Sequence, residues 1–306
     1  MNIVIIGASG FIGTNLAIKL KQDCKNKIVL VDRHIEYFSP VVTNSNVEIK
    51  EAYLNCDDDF EYLKNQDVLY HLFSTTVPTT SNNHISQELQ ENVIFSSKLL
   101  EKCIQYNVKK VIFISSGGTV YGKEVRCPIT EETPLKPISS YGLQKVAIEN
   151  LLYLYRNMHG LDYRIIRLSN PYGPYQRPNG VLGAVTTFTY KAIKKEKIEV
   201  YGDGSIIRDF IYIDDAVRGI LCIANNEGSK KTYNLGSGNG TSIKEVINTV
   251  QHVVGDTEVI YKPGRSVDVP VNFLDISRFE RDFGKLECID LEEGIKRTAD
   301  FLRRKW

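Results

Sequence analysis

The chain has 306 residues, 42% of them hydrophobic and 25% charged, with a formal net charge of +1 at pH 7. That length can bury a sizeable core in one large domain or two modest ones, and the near-neutral charge gives no electrostatic case for nucleic acid or a membrane surface as partner. No apolar run approaches the roughly 18 residues of a membrane span, and the N-terminus runs straight into a glycine turn instead of a signal-peptide pattern.

Six cysteines (Cys24, Cys56, Cys103, Cys127, Cys222, Cys288) form no close pair, which points to free thiols in a reducing cytoplasm. Five histidines show no ligand spacing, so no metal site is expected. The chain has no internal repeat.

The first apolar run, Ile3-Val4-Ile5-Ile6, leads into Gly7-Ala8-Ser9-Gly10-Phe11-Ile12-Gly13 and then a helical pattern to Leu20. Strand, glycine turn and helix are the context of a dinucleotide loop. Gly7 allows the tight turn, Gly10 the approach of a pyrophosphate, and Gly13 close packing of helix on strand. The helix N-terminus offers N–H groups and a partial positive charge to the phosphates. Asp32 ends the second apolar run at the distance where an acid bonds the adenine ribose. Its charge favours NAD over NADP; Arg33 beside it weakens that preference.

Further apolar runs follow near 47–50, 67–72, 110–115 and 163–168, separated by helical patterns at 85–106 and 140–159. Buried parallel strands read as continuous apolar runs and their crossovers are usually helices. The expected architecture is therefore α/β, a doubly wound Rossmann-type parallel sheet. From Asn170 the texture changes to a Pro- and Gly-rich passage. A helix at 185–195, a strand at 206–213 and a helix at 214–224 come next. Ser242-Ile243-Lys244-Glu245 has capping-box spacing, and a last helix covers 290–304. The basic run at 191–197 reads as the solvated end of a helix. These segments suggest a smaller α/β lobe interleaved with the first, the division falling between 1–173 with 205–236, which hold the dinucleotide loop, and 174–204 with 237–306.

Tyr141 and Lys145 are four apart on the 140–159 helix and share a face. An ammonium beside a phenol lowers the phenol pKa, and such a tyrosine can exchange protons with a sugar hydroxyl. The plainer alternative is an exposed pair on a helix surface. The glycine loop before it and the Ser115-Ser116-Gly117-Gly118-Thr119 strand end favour the catalytic reading.

Together these pieces resemble an extended short-chain dehydrogenase/reductase of the nucleotide-sugar epimerase/dehydratase group, most like UDP-hexose 4-epimerases. The matching residues run in order through nearly the whole chain: Gly7 to Gly13, Asp32, His71-Leu72, Asn92, Ser115-Ser116 with Val120-Tyr121-Gly122, Tyr141 with Lys145, Asn170-Pro171, Arg208-Asp209-Phe210, and Arg265 with Asp268. The resemblance implies tightly held NAD. Gly7, Ser9, Gly10, Phe11, Ile12, Gly13, Asp32 and Arg33 would hold its adenine half. Phe73, Ser74, Asn92 and Ser115 would line it, Lys145 would bond the nicotinamide ribose, and Pro171 would sit near the carboxamide. A nucleoside-diphosphate sugar, UDP first, would be gripped by Asn170, Arg208 and Arg265 at the diphosphate, where arginine forks suit phosphate oxygens. Asp268 would take the ribose. Asn272 matches a position that affects tolerance of an N-acetyl group. A homodimer built on the 85–106 and 140–159 helices is implied as well.

Two departures from the family pattern stand out. Gly117 occupies the place of a sugar-bonding Ser or Thr, and Ser116 or Thr119 is the candidate substitute, Ser116 preferred; the alternative is that both only cap the strand end. Tyr53 stands where relatives carry an adenine-bonding Asp, and stacking on adenine is its alternative role. The predicted reaction is inversion at sugar C4 through a 4-keto sugar. Dehydratases, decarboxylases and reductases of the family are the rivals, disfavoured because Gly118 and Thr119 lack the carboxyl groups that the first two place there. A non-catalytic dinucleotide sensor is a more distant alternative, which the intact Tyr–Lys pair opposes.

Overall fold

The computed structural model describes residues 1–38, 42–123, 125–178, 183–264 and 269–305. Its centre is a seven-stranded sheet made of β1 (Asn2–Ile6), β2 (Lys27–Asp32), β3 (Val47–Glu51), β4 (Val68–His71), β5 (Lys110–Ser116), β6 (Asp162–Leu168) and β11 (Thr232–Leu235). The order is β11-β6-β5-β4-β1-β2-β3, and every pairing is parallel. Ile and Val fill β1 because both faces are covered, and Ile3, Val4, Ile5 and Ile6 are all 0% exposed. The order reverses between β1 and β4, so a crevice opens at the C-terminal ends of these strands.

Helix α1 (Phe11–Leu20) follows the glycine loop. The expected 85–106 helix is α2 (Ile85–Leu89), a π turn over Gln90–Ile94, and α3 (Phe95–Gln105). The 140–159 helix is α4 (Ser140–His159), ended by Gly160 in the left-handed region. The expected 206–213 strand is divided. β9 (Ile207–Arg208) and β10 (Phe210–Tyr212) belong to different sheets: β10 pairs with β7 (Asn170–Tyr172), and β9 lies between β12 (Thr241–Ser242) and β14 (Val271–Asn272). The cause is Asp209. Its carboxylate is 0% exposed and accepts from Ser237 N at 2.8 Å, Ser237 Oγ at 2.8 Å and Leu274 N at 3.3 Å. A side chain so satisfied pulls its residue out of ladder register.

The remaining elements are α5 (Ala184–Ile193), β8 (Ile198–Tyr201), α6 (Ile213–Asn225), α7 (Ile243–Val254), β13 (Val259–Lys262), α8 (Ser277–Phe283) and α9 (Leu291–Lys305). α7 begins with the expected capping box between Ser242 and Glu245. α5, α7 and α9 pack on one another, while β8 and β13 pair in parallel. One apolar cluster runs from Ile3 and Leu30 through Ile211 to Val250 and Ile295, so the sheet and these later elements share a core. No helix among the described residues is long and apolar enough to cross a membrane.

Candidate active site

The glycine loop is fixed by close packing. Gly7 has φ +75°, and a Cβ there would stand 2.7 Å from the Phe73 amide nitrogen; a Cβ on Gly13 would stand 2.7 Å from Ala8 Cα. These contacts press the loop onto the end of β4 and α1 onto β1. The first turn of α1 holds no acidic residue and no side-chain cap. Its N–H groups therefore face a cradle without a competing acceptor, as a pyrophosphate requires. Asp32, 8% exposed, accepts from Ser9 N at 2.9 Å and Arg33 N at 2.8 Å. Each of its oxygens keeps a lone pair for a ribose hydroxyl. The Arg33 guanidinium lies 5.1 Å from the Phe73 ring centroid. The residues present fit an NAD molecule.

A continuous cavity of about 780 Å³ runs from this loop to α5 and β8. Gly7, Gly10, Phe11, Ile12 and Gly13 line one end, while Ser74, Ser115, Ser116, Tyr141 and Lys145 line the middle. Asn170, Pro171 and Arg208 stand farther along. Ser9 borders a separate small recess with Tyr37 and Arg177.

The other described site residues are not among those lining the large cavity. Phe73 is 6% exposed, its ring T-shaped on Phe95 with centroids 5.0 Å apart. Asn92, in the π turn, braces a loop: its Oδ1 accepts from Thr75 N at 2.9 Å and its Nδ2 donates to Thr75 Oγ1 at 2.8 Å. The Thr119 hydroxyl is buried without a partner among the described residues, and so is Asn272 Nδ2. Gly117 leaves no room for the usual hydroxyl, because a Cβ there would stand 2.6 Å from Leu274 Cδ1. Tyr53 is 81% exposed. Arg265 and Asp268 lie outside the described residues.

Ser139 caps α4 by accepting from Gly142 N at 3.2 Å, which sets Tyr141 and Lys145 at the mouth of β5. The expectation that Lys145 acidifies Tyr141 is set against burial, which raises the phenol. Lys145 Nζ donates to the Ile114 carbonyl at 3.0 Å and lies 4.8 Å from the Phe113 ring centroid and 5.5 Å from that of Tyr141. With the ammonium given to a backbone oxygen, burial dominates and pushes the Tyr141 phenol up to about 12. Burial also pushes Lys145 down to about 8, opposed by Glu149.

Asn170 and Arg208 are brought to one side by the divided strand. Asn170 Nδ2 donates to the Asp209 carbonyl at 2.9 Å; Arg208 Nη1 donates to the Val269 carbonyl at 2.7 Å. Sequence reasoning missed several groups. Lys191, read as solvated, lines the cavity together with Glu199 and Tyr201. Gln144, 1% exposed, donates to Glu88 Oε2 at 3.1 Å and accepts from Thr76 Oγ1 at 3.1 Å. It thereby ties the loop after β4 to α4. The adjacency of Gln144 to Lys145 was the available signal.

Comparison with known proteins agrees with this geometry. A UDP-glucose 4-epimerase of Mycolicibacterium smegmatis is 30% identical over 321 residues, covering 100% of this chain and 99% of that one. The crystal structure of a UDP-glucose 4-epimerase from Thermotoga maritima with UDP-glucose is similar at TM-score 0.91 and 33% identity, covering 99% of each chain. A UDP-N-acetylglucosamine 4-epimerase from Methanobrevibacter ruminantium, in complex with UDP-N-acetylmuramic acid, gives TM-score 0.92 at 27% identity, covering 100% of this chain and 99% of that one. Residues 3–236 match the description of the NAD dependent epimerase/dehydratase family. With the glycine cradle and the Tyr141–Lys145 helix meeting at one cavity, the chain belongs to that family, an extended short-chain dehydrogenase/reductase with NAD as cofactor.

Proposed function

We propose that the protein inverts C4 of a nucleoside-diphosphate hexose, either UDP-glucose/galactose or a UDP-N-acetylhexosamine. The observation that carries this reading is that Tyr141 and Lys145 line the same cavity as the glycine loop. Bound NAD supplies hydride acceptance and return at the sugar carbon. Tyr141 takes the proton of the C4 hydroxyl and returns a proton to the same oxygen once the 4-keto sugar has turned to present its other face. Lys145 holds positive charge beside the phenol and bonds the nicotinamide ribose. Ser116, a wall residue, substitutes for the hydroxyl absent at Gly117. Asn170, Arg208, Arg265 and Asp268 hold the nucleotide, with Asn272 bearing on the sugar's N-acetyl tolerance. Gly118 and Thr119 carry no carboxyl group to expel water or drive decarboxylation, which favours epimerisation over the family's other outcomes. The names of the relatives above support the same choice.

The cofactor half is assigned to 1–173 and 205–236 and the sugar half to 174–204 and 237–306, working in the cytoplasm as a homodimer. The dimer reading is supported by exposed apolar residues on α4 and on the π turn before α3: Leu143, Leu154 and Met158 are 44%, 47% and 64% exposed and Ile94 is 52% exposed.

The test is a panel of UDP-, dTDP- and GDP-sugars read by NMR. The expected product is a C4 epimer of a UDP-sugar. A 4-keto-6-deoxy sugar or released CO₂ would refute the reaction. Tyr141→Phe should keep NAD and lose roughly 10²- to 10⁴-fold in turnover; a sensor would show little change.

A further inference from the structure

Behind Lys145 lies a polar network that the reaction above does not use. Glu149 is one helical turn farther along α4, on the same face as Lys145, and is 5% exposed. Its Oε1 accepts from Ser115 Oγ at 2.5 Å. Arg167 of β6 grips it by a fork, Nε to Oε1 at 3.1 Å and Nη2 to Oε2 at 2.6 Å. Arg167 is itself held by the Tyr121 hydroxyl at 3.1 Å, which donates to Asn234 Oδ1 at 2.6 Å. Glu149 is thus a fixed negative charge, locked from two strands.

We propose that Glu149 is a positioning residue that keeps Lys145 a cation in a buried site, with Arg167 and Ser115 holding the carboxylate in place. The inference rests on the reading of Lys145 as a working cation beside Tyr141. Among the described residues facing Lys145, Glu149 is the carboxylate that acts on it. On α4 these are Tyr141, whose phenol is neutral at pH 7, and Glu149. From β4 comes His71, which burial and Lys145 itself push down to about 3, so it is uncharged. β5 offers the Ile114 carbonyl, the Phe113 ring and the Ser115 hydroxyl. On β6, Arg167 is positive and is paired with Glu149. Without a carboxylate, burial would favour the neutral amine.

The experiment is an NMR titration of the Lys145 ε-carbon in the full chain with NAD bound, the resonance identified by its loss in Lys145→Met. Glu149→Gln keeps the size, removes the charge and leaves one of the two acceptor oxygens. The Lys145 midpoint is expected to fall by about one unit or more, a tenfold loss of proton affinity. The alkaline limb of kcat/KM should move the same way. Should Glu149→Gln not fold, Glu149→Gln with Arg167→Gln leaves no unpaired guanidinium, and a smaller fall in midpoint is expected. An unchanged midpoint in a folded variant overturns the proposal, whatever the variant's thermal stability. The titration reads no turnover, so it stands or falls separately from the choice of sugar.

Discussion

Tyr141 joins a phenol pushed up to about 12 to a task near neutral pH. The gap needs a positive charge closer than Lys145, whose ammonium is given to Ile114. Oxidised nicotinamide brings one, and an opposite charge within about 4–6 Å lowers an acid's pKa by about 1–3 units. The ultraviolet phenolate titration, taken as the difference between the protein and Tyr141→Phe, should therefore shift to lower pH when oxidised NAD is bound; an unmoved midpoint would separate Tyr141 from the nicotinamide. That the loop glycines, Tyr141 and Lys145 share one cavity was legible because each sits in a short local pattern of set spacing. Glu149 and Arg167 were not. Their ion pair joins a helix to a strand, and neither residue departs from what a solvated charge looks like in one dimension. Lys191 was misread for the same reason: a lysine in a basic run gives no sign of the wall it faces.

Among the elements, α4 occupies the 140–159 span that periodicity placed it in, because its N-cap and the glycine at its end are both encoded locally. The 206–213 strand was misjudged because its apolar alternation is real while its pairing is not local. Asp209 is claimed by Ser237 and Leu274, and the ladder divides around it. Leu274 also explains Gly117: its methyl fills the space a side chain would need. Gly117→Ser should therefore lower stability by about 1–3 kcal/mol through overpacking, read as a lower urea midpoint. Leu274→Ala should relieve it, so that the double variant loses less than the two single losses together. Additive losses would place the clash elsewhere.

At the scale of the whole molecule, the doubly wound order followed from apolar runs alternating with helical patterns, whereas the way later segments share the sheet's core could not be read from periodicity. The exposed apolar residues of α4 make the assembly testable. Sedimentation should give twice the 34.7 kDa chain mass, and Leu154→Glu with Met158→Glu should return it to the single-chain value; a monomeric parent protein would remove the dimer. The parallel sheet has a consequence for synthesis. Every strand partner is remote, and the outermost, β11, pairs Thr232 with Ile165 of β6. A growing chain must therefore leave the ribosome with the flank of β6 bare until Leu235 has emerged. Such late, long-range closure makes maturation slow and exposes sticky backbone in the meantime. Chaperone demand and yield should then be governed by how quickly the final sheet strand arrives, more than by the stability of the finished enzyme.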